Sequence, residues 1–139
     1  MKKFREQERL YLIEGAAALS DAIQTDKLPV LVVHDERAPD RHAESDVLAI
    51  AEEKGIPERL VTETDLLKMS GLKTAPPVAG VFRMPDEEIP TSLPLGSVVV
   101  AFDRVMDPGN LGTLIRAAVF YGVSELWLGE GTVDMYNPK

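Results

Sequence analysis

The sequence has no cysteine, two histidines and no long apolar run. The lack of cysteine excludes a disulfide scaffold, a Cys-ligated zinc site and a thiol nucleophile, and it fits a reducing cytoplasm. The two histidines, His34 and His42, have no second histidine or acid at metal-ligand spacing, so no metal site is predicted. No stretch reaches the roughly 18 to 20 apolar residues that cross a bilayer. We therefore predict a cytoplasmic protein without a membrane segment.

Positive charge is also scarce. The 139 residues carry 15 Lys and Arg against 23 Asp and Glu, a formal net charge of −8. A chain of this balance has no general electrostatic affinity for nucleic acid, so any such contact must depend on particular basic residues. Neither glycine-rich nucleotide signature, G-x-G-x-x-G or G-x-x-x-x-G-K-[ST], is present, which disfavours dinucleotide and P-loop binding.

Apolar runs alternate with helix-period stretches over the first 85 residues, a pattern typical of a compact α/β/α domain. The predicted strands are Leu10–Ile13, Val30–Val33, Arg59–Val61 and Val78–Arg83, and the predicted helices are Gly15–Gln24, Asp46–Lys54 and Asp65–Ser70. Residues 84–96 contain three prolines and three acids without amphipathic period, and we place a linker at 86–96.

The alternation of apolar runs and helix-period stretches begins again in residues 97–139. Ser97–Phe102 is predicted as a strand buried on both faces, a helix follows it and ends at Gly122, and Glu125–Leu128 is predicted as a second strand. These elements form a single βαβ unit that opens a larger parallel sheet. Because one βαβ unit cannot bury both faces of its strands, this domain is either incomplete or completed by another molecule.

The segment from Asp107 to Arg116 carries the strongest chemical signal. At 100° per residue, Asn110, Thr113 and Arg116 lie together, away from an apolar stripe formed by Leu111, Leu114, Ile115, Ala118 and Val119. Asn110 is predicted to cap the helix, and the turn before it favours a phosphate or a carboxylate beside Arg116. The alternative is an ordinary capped turn in which Arg116 pairs with Asp103 or Asp107.

This segment resembles the first signature of the SpoU-type RNA ribose 2′-O-methyltransferases of the SPOUT superfamily, Asp-Pro-x-Asn-x-Gly-x-x-x-Arg-x-Ala. The match runs from Asp107 to Ala118, and Gly131–Lys139 resembles the beginning of the second signature. Two segments of the front half, Leu12–Gly15 and Val78–Val81, also resemble the substrate-binding domain of that family. The third signature is absent.

The resemblance implies an RNA substrate-binding domain at 1–85 and the first part of an α/β trefoil-knot methyltransferase domain at 97–139, truncated after its first βαβ unit. It implies methyl transfer from S-adenosylmethionine to a ribose 2′-hydroxyl of rRNA or tRNA by a homodimeric parent protein, with Asn110 and Arg116 at the catalytic site. The cofactor residues are expected beyond Lys139, so this chain alone is expected to be inactive.

Two alternatives to this function stay open. The chain could be a non-catalytic RNA-binding module that acts through its front domain. It could also be a small α/β protein that binds an anionic metabolite at the start of the Asn110 helix. Binding of S-adenosylmethionine by a full-length version would separate the enzyme from both.

Overall fold

The computed structural model describes residues 5, 7–25, 27–70, 72–86 and 90–136. The chain divides into two compact units, with the boundary between Pro85 and Asp86. Residues 87–89 of the predicted linker and residues 137–139 of the second-signature match lie outside the described residues. The mixed α/β class predicted from the alternating pattern is confirmed.

The elements of the first unit in chain order are β1 (Leu10–Glu14), α1 (Ala16–Gln24), β2 (Leu31–His34), α2 (His42–Glu53), β3 (Glu58–Leu60), α3 (Glu63–Met69) and β4 (Val78–Arg83). The four strands form one sheet in the order β1-β4-β2-β3. Strand β4 is antiparallel to both β1 and β2, whereas β2 and β3 are parallel, so the sheet is mixed.

Helices cover both faces of this sheet. Successive side chains of a strand point to opposite faces, so neighbouring residues of one strand pack against different helices. Val32 of β2 packs in one cluster with α1 and α2, and its neighbour Val33 packs in the other cluster with Leu66 of α3. Gly80 of β4 allows the close approach of α1, since a Cβ atom there would lie 2.5 Å from Cδ1 of Leu19. A larger residue at Gly80 would displace the side chains of Leu19 and Phe82.

Two helices begin earlier than their patterns predict. Helix α2 begins at His42 rather than Asp46, because its first turn is too polar to show an apolar period. Helix α3 begins at Glu63 because the Thr62 hydroxyl accepts a hydrogen bond from the backbone N–H of Asp65 at 3.1 Å. This contact is an N-cap, which satisfies one of the free donors in the first turn.

The second unit consists of β5 (Val99–Phe102), α4 (Pro108–Phe120) and β6 (Glu125–Leu128). The two strands are parallel and directly paired, with Val99 opposite Glu125. Helix α4 buries Leu111 and Ala118, but several large apolar side chains of the unit are exposed, namely Val98, Val119, Phe120, Tyr121 and Trp127. No helix in the described part of the chain is long and apolar enough to cross a membrane.

Candidate active site

The candidate site lies where β5 leads into α4. Asp107 is the N-cap of α4, and its side chain accepts a hydrogen bond from the backbone N–H of Asn110 at 2.7 Å. The prediction that Asn110 caps the helix is therefore wrong. Pro108 occupies the first helical turn, a position that suits its fixed φ and missing N–H, and this makes the preceding aspartate the cap.

Asn110, Thr113 and Arg116 are all exposed and form a polar ridge on α4. The Thr113 hydroxyl donates to the backbone carbonyl of Gly109 at 3.0 Å, and Nη2 of Arg116 donates to Thr113 Oγ1 at 3.2 Å. Thr113 therefore links the first turn of the helix to the arginine head group. The ridge predicted from helical spacing is present as a surface feature, and the catalytic roles of Asn110 and Arg116 stay predictions.

The guanidinium of Arg116 lies against Gly112, one turn earlier on the helix. A Cβ atom at Gly112 would lie 3.3 Å from Nη1 of Arg116, which is tighter than an ordinary van der Waals contact. The missing side chain thus leaves the space that the guanidinium occupies. The importance of Gly112 was not predicted from the sequence, because a motif glycine reveals nothing about which side chain fills the space beside it.

Neither acid proposed as an ion-pair partner contacts Arg116 within the described residues. The carboxylate of Asp107 is engaged at the helix cap. Asp103 lies 3.5 Å from Nε of the adjacent Arg104. The Arg116 guanidinium therefore bonds to a neutral hydroxyl, Thr113, and keeps donors available for an anionic ligand.

The loops that follow β5 and β6 are hydrogen-bonded to each other. The backbone N–H of Val133 donates to the carbonyl of Val105 at 2.9 Å, and that of Gly129 donates to the carbonyl of Phe102 at 2.8 Å. The Thr132 hydroxyl also donates to the Phe102 carbonyl, at 3.1 Å. The carboxyl ends of parallel strands are the usual ligand position in open α/β sheets, and here both loops are fixed at that edge.

The two histidines do not form a metal site. His34 ends β2 half-buried, with Nδ1 3.2 Å from the backbone oxygen of Asp35, and His42 is exposed at the start of α2. Across the described ranges, no group of three or more His, Cys, Asp or Glu side chains could hold a metal ion.

Sequence analysis missed a charged cluster after β2 in the first unit. Asp35 is 2% exposed, and both of its carboxylate oxygens accept hydrogen bonds from Arg37. The Arg37 guanidinium also donates to Glu63 at 2.7 Å, which ties the loop to the start of α3. Burial raises the pKa of the Asp35 carboxyl, but hydrogen bonds and the positive charge of Arg37 outweigh that effect and leave the pKa below its usual value.

We expect Arg37→Met to lower the free energy of unfolding by about 2 to 3 kcal/mol near pH 7, because it leaves the buried Asp35 carboxylate without its partner. Since Arg37 is itself 37% exposed, this is below the full cost of breaking a buried pair. A carboxyl group whose folded pKa is depressed stabilises the fold above its unfolded pKa of about 3.9, and that contribution is lost as pH falls through the folded value.

Urea unfolding at pH 7 and at pH 3 measures this effect, and the difference between wild type and Arg37→Met should shrink at the lower pH. Glu63→Gln is the matched control, since Glu63 is 64% exposed and its ion pair with Arg37 contributes about 0 to 1 kcal/mol. Equal losses for both variants would show that the buried carboxylate is not what Arg37 stabilises.

Comparison with known sequences shows relatives that span the whole chain. The chain is 33% identical over 140 residues to the 23S rRNA (guanosine(2553)-2′-O)-methyltransferase RlmP of Bacillus subtilis, covering 99% of the chain and 51% of that relative. It is 31% identical over 146 residues to the human mitochondrial rRNA methyltransferase 3, covering 99% of the chain and 33% of that protein. No family model matches the chain.

Solved structures of methyltransferases share the fold of this chain. The AdoMet-bound rRNA methyltransferase of Sinorhizobium meliloti superposes with a TM-score of 0.75 at 28% identity, covering 98% of this chain and 50% of that one. The chain is thus similar to RNA methyltransferases along its whole length. The SpoU methyltransferase AviRb of Streptomyces viridochromogenes shares the fold, with a TM-score of 0.77 at 21% identity and coverage of 99% of this chain and 50% of that one. This chain spans between a third and a half of the length of these relatives.

Proposed function

We propose that the protein carrying this chain transfers a methyl group from S-adenosylmethionine to a ribose 2′-hydroxyl of ribosomal RNA. The observation that carries the proposal is the Arg116 guanidinium, exposed on the polar ridge of α4 and bonded only to a neutral hydroxyl within the described residues. The 33% identity to a 23S rRNA 2′-O-methyltransferase supports the choice of reaction. The first unit would bind the RNA by shape and by contacts to phosphates and 2′-hydroxyls.

A ribose hydroxyl is a poor nucleophile near neutral pH, so its proton must pass to solvent water as its oxygen attacks the methyl carbon. A guanidinium has a pKa above about 12 and is not a free base at pH 7. Arg116 therefore acts by gripping a phosphate next to the reactive ribose with its planar fork, which orients the hydroxyl and stabilises negative charge that develops on it. Asn110, beside it on the ridge, would hold the RNA backbone through its amide group.

S-adenosylmethionine would supply the methyl group. An adenosine pocket needs free polar groups within an enclosed apolar cavity. Around the described part of the site, Gly129, Thr132 and Val133 use their donors to bind other protein groups. The donors of these three residues are therefore not free to bind the cofactor.

We also propose that the protein is a homodimer and that it is located in the cytoplasm. The exposed apolar side chains of the second unit support association, because such surfaces are rarely left in contact with water on a monomer. Light scattering after size exclusion measures the molar mass of the protein and tests the homodimer separately from the reaction.

The reaction is tested by incubating the protein with S-adenosylmethionine and an unmodified 23S rRNA transcript, then digesting the RNA to nucleosides for mass spectrometry. The expected product is a 2′-O-methylated nucleoside. A base-methylated nucleoside would refute the assignment of the hydroxyl as acceptor. RNA binding without methyl transfer would instead support the non-catalytic binding module.

A further inference from the structure

Arg104 has a backbone conformation that is unusual for its residue type. It lies in the loop between β5 and α4 with φ at +52°, in the left-handed region that favours glycine and asparagine. A large side chain there is strained, and such strain persists only where the surrounding structure holds it in place. Residues held in this way concentrate at functional sites, so the conformation of Arg104 calls for a physical reason.

The stem of Arg104 packs against the loop that follows β6. Its Cγ atom lies 3.3 Å from the position that a Cβ atom would take at Gly131, so a side chain at Gly131 would displace it. The hydrogen bond from Val133 to Val105 fixes the same two loops at 2.9 Å. The left-handed backbone therefore sends the arginine stem across the neighbouring loop, and the stem is held there.

Within the described residues, the charged head of Arg104 has one weak ion pair. The side chain is 79% exposed, and its Nε lies 3.5 Å from a carboxylate oxygen of Asp103, which is itself 73% exposed. A pair this long and this exposed contributes little to stability, so it does not offset the backbone strain. The guanidinium keeps donors for a ligand at the carboxyl end of β5.

The second unit has few basic residues that could bind an anionic ligand such as RNA. From residue 97 to residue 136 the sequence has two basic residues, Arg104 and Arg116, against five acidic residues. Both cations belong to the loop and helix that follow β5. These two arginines are therefore the cations that the described part of this acidic unit offers to an RNA backbone, and neutralisation of phosphates contributes strongly to protein–RNA affinity.

We propose that Arg104 binds a phosphate of the RNA substrate, distinct from the phosphate oriented by Arg116. This inference rests on the proposed function, since it takes RNA as the ligand of the same site. Arg104 then determines how tightly the RNA is held, and Arg116 determines how fast the held RNA reacts.

The test uses Arg104→Asn in the protein carrying this chain, because asparagine removes the cation and tolerates the left-handed conformation. Binding of a fluorescein-labelled 23S rRNA transcript is followed by anisotropy from 50 to 200 mM salt. We expect affinity to fall by about tenfold and the slope of log K against log salt to decrease by about 0.7 to 0.9, as for the loss of one phosphate contact. The melting temperature and the affinity for S-adenosylmethionine should not decrease.

Two further variants complete the experiment. Arg104→Lys keeps a cation and should retain the wild-type salt slope, whereas Asp103→Asn removes the neighbouring acid and should tighten RNA binding. An unchanged affinity and slope in Arg104→Asn would overturn this inference while leaving the methyl-transfer proposal intact. Failure of the wild type to bind or methylate the transcript would overturn both.

Discussion

Replacement of Arg116 by lysine is expected to lower the rate of methyl transfer on the order of a hundredfold. Lysine keeps the positive charge but loses the planar fork that grips a phosphate at two points. The free energy of unfolding should change by no more than about 1 kcal/mol, because Arg116 is exposed and its hydrogen-bond partner in the described structure is the neutral Thr113 hydroxyl. Single-turnover methylation of the 23S rRNA transcript measures the rate, and thermal unfolding measures stability.

The matched control is Arg59→Lys, which makes the same exchange at an exposed position of the edge strand β3. It should leave the single-turnover rate unchanged, because it preserves the charge and lies outside the polar ridge. Near-equal rates for Arg116→Lys and wild type would make Arg116 a structural residue of the helix surface and remove the proposed mechanism.

Replacement of Gly112 by alanine should change stability and activity in opposite directions. Alanine in a helix interior is more stable than glycine by about 0.5 to 1 kcal/mol, so the melting temperature should rise. The new methyl group would take the space beside Nη1 of Arg116, 3.3 Å away, and displace the guanidinium. Because small misplacements of a positioning group are costly, we expect the single-turnover rate to fall by at least about tenfold.

A double-mutant cycle separates this effect from any general disturbance of α4. In the Arg116→Lys background the guanidinium is absent, so adding Gly112→Ala should cost little further activity while still raising the melting temperature. Additive losses of activity would show that Gly112 acts independently of Arg116. A stabilised and fully active Gly112→Ala variant would show that the guanidinium does not need that space.

Local patterns predicted most of the strands because these are short apolar runs between polar segments. The exposed strand β3 is an exception, and β5, predicted to be buried on both faces, is only partly buried. Strands β4 and β6 have the predicted bounds, and the exposed ridge of α4 follows from helical spacing alone. The cap was misassigned because Asp107 and Asn110 are both good capping residues and the proline between them decides which one acts. The Asp35 cluster was missed because it joins Arg37 to Glu63, 26 positions away, a pairing that no local pattern reveals.

The position of β4 in the sheet affects how this chain folds during synthesis. It is the last strand of the first unit in sequence, yet it lies between β1 and β2 and is hydrogen-bonded to both. When β1 and β2 leave the ribosome, neither has the neighbour that it will have in the folded protein. Such distant pairings make folding slow, and unpaired strand edges are prone to aggregate. The edges of β1 and β2 that will pair with β4 therefore stay exposed in the nascent chain until Arg83, the last residue of β4, has left the ribosome.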